Sequence, residues 1–332
     1  MKIGINGFGR IGRQIFRILH ERGLTESIVL VNDLTNNDAL AQLLKYDSNY
    51  GKFSGEISHT DEFLIVDGHK VQATAIRNPE ELPWGELGVD IVVESTGIFR
   101  KREQAAMHLT AGAKKVLISA PSPDADMDLM VGVNAYQYDQ NSGEVFSNAS
   151  CTTNSLASVM KVIDDTFGVE QAMMTTIHSY TNDQRILDGP HKDLRRARNA
   201  ATNIIPTTTG AAKAVSKVLP QFEGKFDGMA VRVPTPTGSL SDVTIILEKE
   251  TTAEELNAAI KEATDSHLKG IVEYSDEPLV SSDIVGNPHS AIFDSDMTKV
   301  NGKLAKILCW YDNEWGYSAR MVDVLELMGK NL

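Results

Sequence analysis

The sequence predicts an α/β fold that begins with a parallel sheet covered by helices and continues into a second domain. From residue 1 to about residue 120, strand and helix signals alternate along the chain, as they do in parallel sheets. A glycine-rich turn at residues 7–12 separates the first strand from the first helix. After residue 149 the alternation stops, so we place the domain boundary between residues 149 and 150.

Short apolar runs predict the strands of the first domain, at residues 2–6, 28–31, 90–94 and 115–119. The helical spacing of Ile11, Ile15, Ile18 and Leu19 predicts the first helix, which ends near Gly23. Residues 102–112 have helical character too. Residues 52–75 consist instead of short alternating runs broken by glycine, which indicates antiparallel hairpins inserted in the sheet.

The second domain is predicted to begin with a helix at Ser150 and to continue with strands at residues 169–178, 228–234, 240–249 and 304–311. A helix is predicted near residues 252–266. Residues 181–206 show little periodicity, and irregular connections of this length are usually functional or disordered. A last helix at residues 316–332 has one apolar face, and we expect it to pack back on the first domain.

Composition excludes several classes of function. The net charge is −13, which argues against non-specific nucleic-acid binding and against docking on an acidic membrane. Two cysteines cannot form a disulfide framework in 332 residues. No run approaches the roughly 20 apolar residues of a membrane span, and the first residues do not resemble a signal peptide. We therefore expect a soluble, cytoplasmic protein.

The glycine-rich turn has the pattern of a dinucleotide-binding loop. Gly7 permits a tight turn, Gly9 lets a pyrophosphate approach the backbone, and Gly12 lets helix and strand pack closely. Asp33 ends the second strand, where an acidic residue binds the adenine ribose and repels a 2′-phosphate. For the glycine-rich turn, the alternative is a turn that binds no ligand, and for Asp33 it is a helix-capping or turn aspartate. The position of the turn between a strand and a helix favours a site for NAD.

Cys151 lies where the apolar pattern of a helix begins, with hydroxyl side chains around it. A helix N-terminus lowers the pKa of a thiol and favours the nucleophilic thiolate, so we expect a depressed pKa here. His178, at a strand end, is the candidate base. The sequence alone leaves open whether His178 reaches Cys151 or has a structural role. Cys309, in an apolar run, is assigned no role.

Positive charge is concentrated in one part of this acidic chain. Residues 181–198 contain five basic and three acidic side chains, and Arg232 stands between two valines of a predicted strand. Hydroxyl groups of residues 207–209 precede a further helix start, a favourable place for an anion. A solvated loop is the alternative. With the nucleophile and the dinucleotide turn, these features indicate a phosphorylated aldehyde as substrate.

Several motifs, in the same order, make the chain similar to the phosphorylating glyceraldehyde-3-phosphate dehydrogenases over essentially its whole length. The specific one is the run of residues 149–154, Ala-Ser-Cys-Thr-Thr-Asn. The others are residues 5–13, 176–181, 193–198, 205–213, 231–234 and 310–314. This resemblance implies a Rossmann-type doubly wound parallel sheet over residues 1–149 and an α+β catalytic domain with a mainly antiparallel sheet over residues 150–315.

The resemblance also implies NAD as cofactor, glyceraldehyde 3-phosphate and inorganic phosphate as substrates, a homotetramer and no metal. Cys151 would form a hemithioacetal and then a thioester, with His178 as the base. The residues implied to bind the two phosphates are Ser150, Thr152, Thr181, Arg196, Thr209, Gly210 and Arg232. The residues implied to bind the cofactor are Gly7, Phe8, Gly9, Arg10, Ile11, Asp33, Arg77, Ser119 and Asn313.

Three rival interpretations share part of this pattern. Erythrose-4-phosphate dehydrogenase uses the same cysteine and histidine, but the intact run of residues 208–213 favours the triose. An NADP-dependent relative is disfavoured by Asp33. A regulator that only senses NAD would need the glycine turn, but it would not need Cys151 and His178 together.

Overall fold

The computed structural model describes all 332 residues and divides the chain into two compact units. One unit comprises residues 1–149 together with 318–332, and the other comprises residues 150–317. None of the helices is both long and apolar enough to cross a lipid bilayer.

The first unit contains a nine-stranded sheet and a separate two-stranded ribbon formed by β3 and β4. Its strands are β1 (Ile3–Asn6), β2 (Ile28–Asn32), β3 (Tyr46–Asp47), β4 (Gly51–Lys52), β5 (Ile57–His59), β6 (Phe63–Val66), β7 (His69–Thr74), β8 (Ile91–Glu94), β9 (Lys115–Ile118), β10 (Met127–Asp128) and β11 (Val145–Ser147). Its helices are α1 (Arg10–Glu21), α2 (Asn37–Lys45), α3 (Trp84–Leu87), α4 (Arg102–Ala105) and α5 (Met107–Thr110), with 3₁₀ turns at residues 25–27, 79–81 and 135–137.

The order of strands in the large sheet is β10-β11-β9-β8-β1-β2-β7-β6-β5. From β10 to β7 every neighbouring pair is parallel, whereas β7, β6 and β5 are antiparallel. Both the parallel sheet and the inserted hairpins are thereby confirmed. The chain passes from β1 to β2 on one side and places β8 on the other. Such a switch point leaves a crevice at the carboxyl ends of the strands, where α/β proteins bind ligands.

The central strands are buried on both faces, since β1 and β8 have no exposed residue. Burial of this kind produces continuous apolar runs in place of alternation. The helical region predicted at residues 102–112 is in fact two short helices, α4 and α5, with the break at Ala106. The break lies two residues before His108, whose fully buried ring is bound by Trp84 and Glu94.

The second unit contains a seven-stranded sheet. Its strands are β12 (Val169–Ser179), β13 (Ile205–Thr208), β14 (Phe226–Val233), β15 (Ser239–Leu247), β16 (Val272–Ser275), β17 (Ala291–Asn301) and β18 (Leu304–Tyr311). Its helices are α6 (Cys151–Phe167), α7 (Ala211–Val218) and α8 (Ala253–Asp265), with a 3₁₀ turn at residues 220–222. A last helix, α9 (Trp315–Lys330), begins in this unit and continues into the first.

The strands of this sheet are ordered β13-β14-β12-β15-β18-β17-β16, and all pairs are antiparallel except β12 with β14 and β16 with β17. The expected α/β class with a mainly antiparallel second sheet is therefore confirmed. Helices α6, α7 and α8 pack on one face of the sheet. Within the first unit, Arg22 of the loop after α1 pairs with Asp323 and Glu326 of α9 at 2.7 and 2.8 Å.

Candidate active site

A cleft of about 360 Å³ opens in the first unit at the carboxyl ends of β1, β2 and β8. Gly7 adopts a positive φ of 93°, and a Cβ at this position would lie 2.6 Å from the Thr96 nitrogen, so only glycine fits. A Cβ on Gly9 would meet nothing within 4 Å. The cleft is lined by Asn6, Gly7, Gly9, Asn32, Asp33, Leu34, Ile76, Arg77, Ser95, Thr96, Ile98 and Phe99.

Helix α1 begins at Arg10, directly beside this cleft. The first-turn N–H groups of a helix point out of the helix and favour an anion, which suits the backbone of Arg10 and Ile11. The side chain of Arg10 is directed elsewhere, because its guanidinium donates to the buried carboxylate of Asp47 at 2.5 and 3.2 Å. The backbone N–H of Arg10 is therefore the group placed to bind an anion, because its guanidinium is paired with Asp47.

Asp33 is held at the edge of the cleft by two backbone donors. Its carboxylate accepts N–H bonds from Phe8 at 2.9 Å and from Thr35 at 3.1 Å. The Phe8 ring is buried against Phe16 at 5.7 Å between centroids, so Phe8 contributes to the cleft only through its backbone. Ser119 follows β9 at the same edge of the sheet but does not line the cleft.

In the second unit, Cys151 is the first residue of α6. The Ser150 hydroxyl caps this helix by accepting the Thr153 N–H at 3.1 Å. Helix α6 leads away from the cysteine, and β12 returns the chain, so that His178 near the strand end faces the start of the helix. The Cys151 Sγ and His178 Nε2 atoms lie 3.5 Å apart. The structure thus brings together the candidate nucleophile and the candidate base that the sequence analysis identified.

Arg232 lies on the other side of the imidazole, because the parallel pairing of β12 with β14 aligns it with His178. Its Nη1 lies 2.6 Å from His178 Nδ1 and donates to the Ser179 carbonyl oxygen at 2.9 Å. Burial, the charge of Arg232 and the charge of Arg196 together lower the pKa of His178 to about 3. The resting imidazole is therefore neutral.

The pKa of the Cys151 thiol is shifted in the direction opposite to the one we expected. We expected the helix N-terminus to depress the pKa of Cys151, but burial of the sulfur raises this pKa, although Arg232 and bonds from Thr152 act in the opposite direction. Desolvation of a thiolate outweighs these attractions when no ligand is bound. The resting pair is a thiol beside a neutral imidazole. Cys309 is fully buried, which raises its pKa to about 12.

The Arg196 side chain is tied into the irregular loop that precedes β13. It donates to the Asp183 carboxylate at 2.5 Å, to the Thr207 hydroxyl at 2.9 Å and to the Thr208 carbonyl oxygen at 2.9 Å. Asp183 was not singled out from the sequence, because an aspartate in a charged loop carries no distinctive pattern. An anion that binds Arg196 must share the guanidinium with Asp183.

The remaining candidate anion ligands lie at helix starts or in the same loop. The Thr209 hydroxyl accepts the Ala211 N–H at 3.2 Å, and Gly210 is the exposed residue that precedes α7. The Thr181 N–H donates to the Gln184 side chain at 3.3 Å. Thr209 directly follows Thr208, whose carbonyl oxygen accepts from Arg196.

Two residues that support the site, Tyr311 and Ser239, were not assigned a role from the sequence. The Tyr311 hydroxyl lies 2.8 Å from that of Thr152 and 2.7 Å from that of Thr176, and burial raises the pKa of Tyr311. The side-chain oxygen of Asn313 accepts the Ser239 hydroxyl at 2.8 Å. Both contacts join residues that are far apart in the chain, so only the folded structure reveals them.

The chain is similar to known proteins over its whole length. Residues 1–102 match the NAD binding domain of glyceraldehyde 3-phosphate dehydrogenase, and residues 150–313 match the C-terminal domain. A Streptomyces coelicolor glyceraldehyde-3-phosphate dehydrogenase is 57% identical over 100% of this chain and 99% of its own length. The Mycobacterium tuberculosis enzyme of that name is 54% identical over the same shares, and that of Geobacillus stearothermophilus is 58% identical over 98% and 97%. The chain belongs to the glyceraldehyde-3-phosphate dehydrogenase family.

Proposed function

We propose that the protein is an NAD-dependent enzyme of glycolysis and gluconeogenesis. It oxidises D-glyceraldehyde 3-phosphate and joins the product to inorganic phosphate, which gives 1,3-bisphosphoglycerate. The observation that carries the proposal is the 3.5 Å contact between Cys151 Sγ and His178 Nε2, with Arg232 directly behind the imidazole. A nucleophile, a base and an adjacent cation are what thioester chemistry on a phosphorylated aldehyde requires.

In the first step the Cys151 sulfur bonds to the aldehyde carbon and its proton passes to Nε2 of His178. The carbonyl oxygen then takes that proton from His178, which gives a hemithioacetal and returns the imidazole to its neutral form. Nε2 can accept the thiol proton only if Nδ1 carries the ring hydrogen. Nδ1 faces two groups: the Ser179 carbonyl oxygen at 2.7 Å, which accepts a ring hydrogen and favours this tautomer, and Arg232 Nη1 at 2.6 Å, a donor that favours the opposite one. The proposed step uses the tautomer that Ser179 favours.

In the second step His178 takes the hydroxyl proton while the carbon loses hydride, and a thioester remains on Cys151. NAD, when bound, supplies the acceptor for that hydride. A phosphate oxygen then attacks the thioester carbon, the carbon–sulfur bond breaks, and Cys151 leaves as a thiolate that recovers its proton. The raised pKa of Cys151 favours this return to the thiol.

Two groups of residues serve the two phosphates. Thr181, Arg196 and Arg232 hold the phosphate of the substrate, whereas Ser150, Thr152, Thr209 and Gly210 hold the attacking phosphate. The Thr152 hydroxyl is already bonded to Tyr311, so we assign its contribution to the backbone N–H in the first turn of α6. An anion on Arg232 also offsets the charge that depresses the pKa of His178.

Residues 1–149, with the helix of residues 316–332, form the domain that we assign to NAD. The open space at Gly9, the helix start at Arg10 and Ile11, and the fixed Asp33 carboxylate fit a dinucleotide. Gly7, Phe8 and Arg77 complete the cleft, while Ser119 and Asn313 orient the nicotinamide. Residues 150–315 form the catalytic domain, and we place the enzyme in the cytoplasm.

We further propose a homotetramer. The face of the second sheet that faces away from the helices presents Met173, Met229, Ile246 and Leu304, each at least 40% exposed. Apolar patches of this kind usually mark an interface. A second copy of the chain is the partner that this proposal implies.

Phosphate dependence tests the proposal most simply. Purified protein is mixed with glyceraldehyde 3-phosphate and either NAD or NADP, with and without inorganic phosphate, and reduced cofactor is followed by absorbance. We expect rapid NADH formation only with phosphate and a loss of at least about a thousandfold in Cys151→Ser. Turnover of erythrose 4-phosphate but not of the triose would refute the assigned substrate.

A further inference from the structure

We propose that Ser239 is a positioning residue that fixes the side-chain amide of Asn313 for the nicotinamide carboxamide. The inference rests on the proposed function, in which Asn313 orients that group. It begins from the Ser239 hydroxyl, which lies between Ser179 on one side and Asn313 on the other and has no exposed surface.

Hydrogen-bond directions around Ser239 are determined by its neighbours. The Ser179 backbone N–H can only donate, and it does so to Ser239 Oγ at 3.2 Å. The single hydroxyl hydrogen of Ser239 is then available for Asn313 Oδ1, 2.8 Å away. If the amide were rotated so that its NH₂ faced Ser239, that hydrogen would lose its acceptor. The serine therefore selects one of the two amide orientations.

The selected orientation leaves the Asn313 NH₂ group with no acceptor in the chain, although the residue is 94% buried. The Asp312 carboxylate fixes the backbone on both sides of Asn313, because it accepts the N–H groups of Glu314 and Trp315 at 3.0 and 2.9 Å. An amide that is fixed at both its backbone and its oxygen presents its donors in one direction. An acceptor such as a carboxamide oxygen is the group that would satisfy them.

The same strand offers a matched control. Ser241 lies two residues further along β15, on the same face, and is also fully buried. Its hydroxyl has no hydrogen-bond partner. Replacing Ser239 or Ser241 by alanine removes the same atom from equally buried sites. Only the first change removes a hydrogen bond from Asn313, whose oxygen then keeps only the 3.5 Å contact with the Thr237 hydroxyl.

The test compares the binding of NAD with the binding of ADP-ribose, which lacks nicotinamide, by titration calorimetry without substrate. We expect Ser239→Ala to weaken NAD roughly fivefold to tenfold, the usual effect of one lost oriented hydrogen bond. ADP-ribose affinity should not change, and Ser241→Ala should leave both affinities unchanged. Equal weakening of both ligands, or no weakening of NAD, would overturn the inference.

Asn313 provides a second approach to the same question. Asn313→Asp keeps the oxygen that accepts from Ser239 but removes the N–H donors, so it should weaken NAD and spare ADP-ribose. In an Asn313→Ala background, Ser239→Ala should cause no further loss, since the two residues act as a unit. A further loss there would contradict the positioning role. Failure of the wild-type chain to oxidise the triose would instead refute the proposed function.

Discussion

At the scale of single residues, burial and neighbouring charges together set the protonation of the reacting pair. Burial, with the charges of Arg232 and Arg196, depresses the pKa of His178, and burial raises the pKa of Cys151. An anion that binds both arginines offsets their part of this shift and raises the pKa of the imidazole. In our proposal the substrate phosphate is that anion.

The depressed pKa of His178 has a consequence for stability. An unfolded histidine titrates near pH 6.5, and His178 in the folded chain titrates at about 3. The unfolded chain binds the extra proton between these values, so the stability that His178 contributes is complete above pH 6.5 and is lost as the pH falls toward 3.

We therefore expect acid to destabilise the wild-type chain more than His178→Gln. From pH 7 to pH 5, the wild-type free energy of unfolding should fall by about 2 kcal/mol more than that of the variant. Urea unfolding of both proteins at the two pH values measures the difference. Equal losses in the two proteins would mean that His178 is not held neutral.

The residues that the sequence identified are those with a local signature. Cys151 opens a helix among hydroxyl groups, and Arg232 interrupts an apolar strand. Tyr311 could not be identified in this way, because it contacts Thr152 across 159 positions of the chain. Ser239 and Asp183 were missed for the same reason, since long-range partners give no local pattern. The direction of the Cys151 pKa shift also depended on burial, which only the folded structure shows.

At the scale of secondary-structure elements, the start of α6 has two separate roles. Ser150 caps the helix by accepting the Thr153 N–H, and in our proposal it also binds the attacking phosphate. Thr252 caps α8 by the same kind of bond, with Glu255 as donor at 3.2 Å, but it belongs to neither proposed binding group.

Substitutions at these two caps distinguish a loss of helix stability from a loss of phosphate binding. Ser150→Ala and Thr252→Ala should each lower the free energy of unfolding by about 1 kcal/mol. Only Ser150→Ala should raise the KM for inorganic phosphate. Denaturant unfolding and steady-state kinetics on both variants give the comparison, and a rise in that KM for Thr252→Ala would show that capping alone accounts for the effect.

Elements were predictable where a single period dominated the sequence. Helix α6 was of this kind, the central parallel strands were instead identified as continuous apolar runs, and β17 was missed. Its residues 294–299 include two aspartates and a lysine, and the β-bulge at residues 294–299 interrupts its pairing with β18. The alternation that identifies a strand is lost at such a bulge.

At the scale of the whole molecule, the exposed apolar face of the second sheet predicts self-association. Met173→Glu combined with Met229→Glu places carboxylates on that face, and burying them unpaired is costly. We expect the dissociation constant of the assembly to rise at least about tenfold, measured by sedimentation velocity. Val280→Glu changes an equally exposed loop residue and should leave the assembly intact. An unchanged tetramer in the double variant would exclude this face as an interface.

The covalent thioester on Cys151 is the central claim, and a single-turnover experiment without phosphate tests it most directly. The protein is mixed with NAD and excess glyceraldehyde 3-phosphate, NADH is counted per active site, and the mass of the peptide that contains Cys151 is measured. We predict a burst of one NADH per site and an acyl group on Cys151, both followed by rapid turnover when phosphate is added. Steady NADH formation without phosphate, or a burst that leaves Cys151 unmodified, would contradict the account.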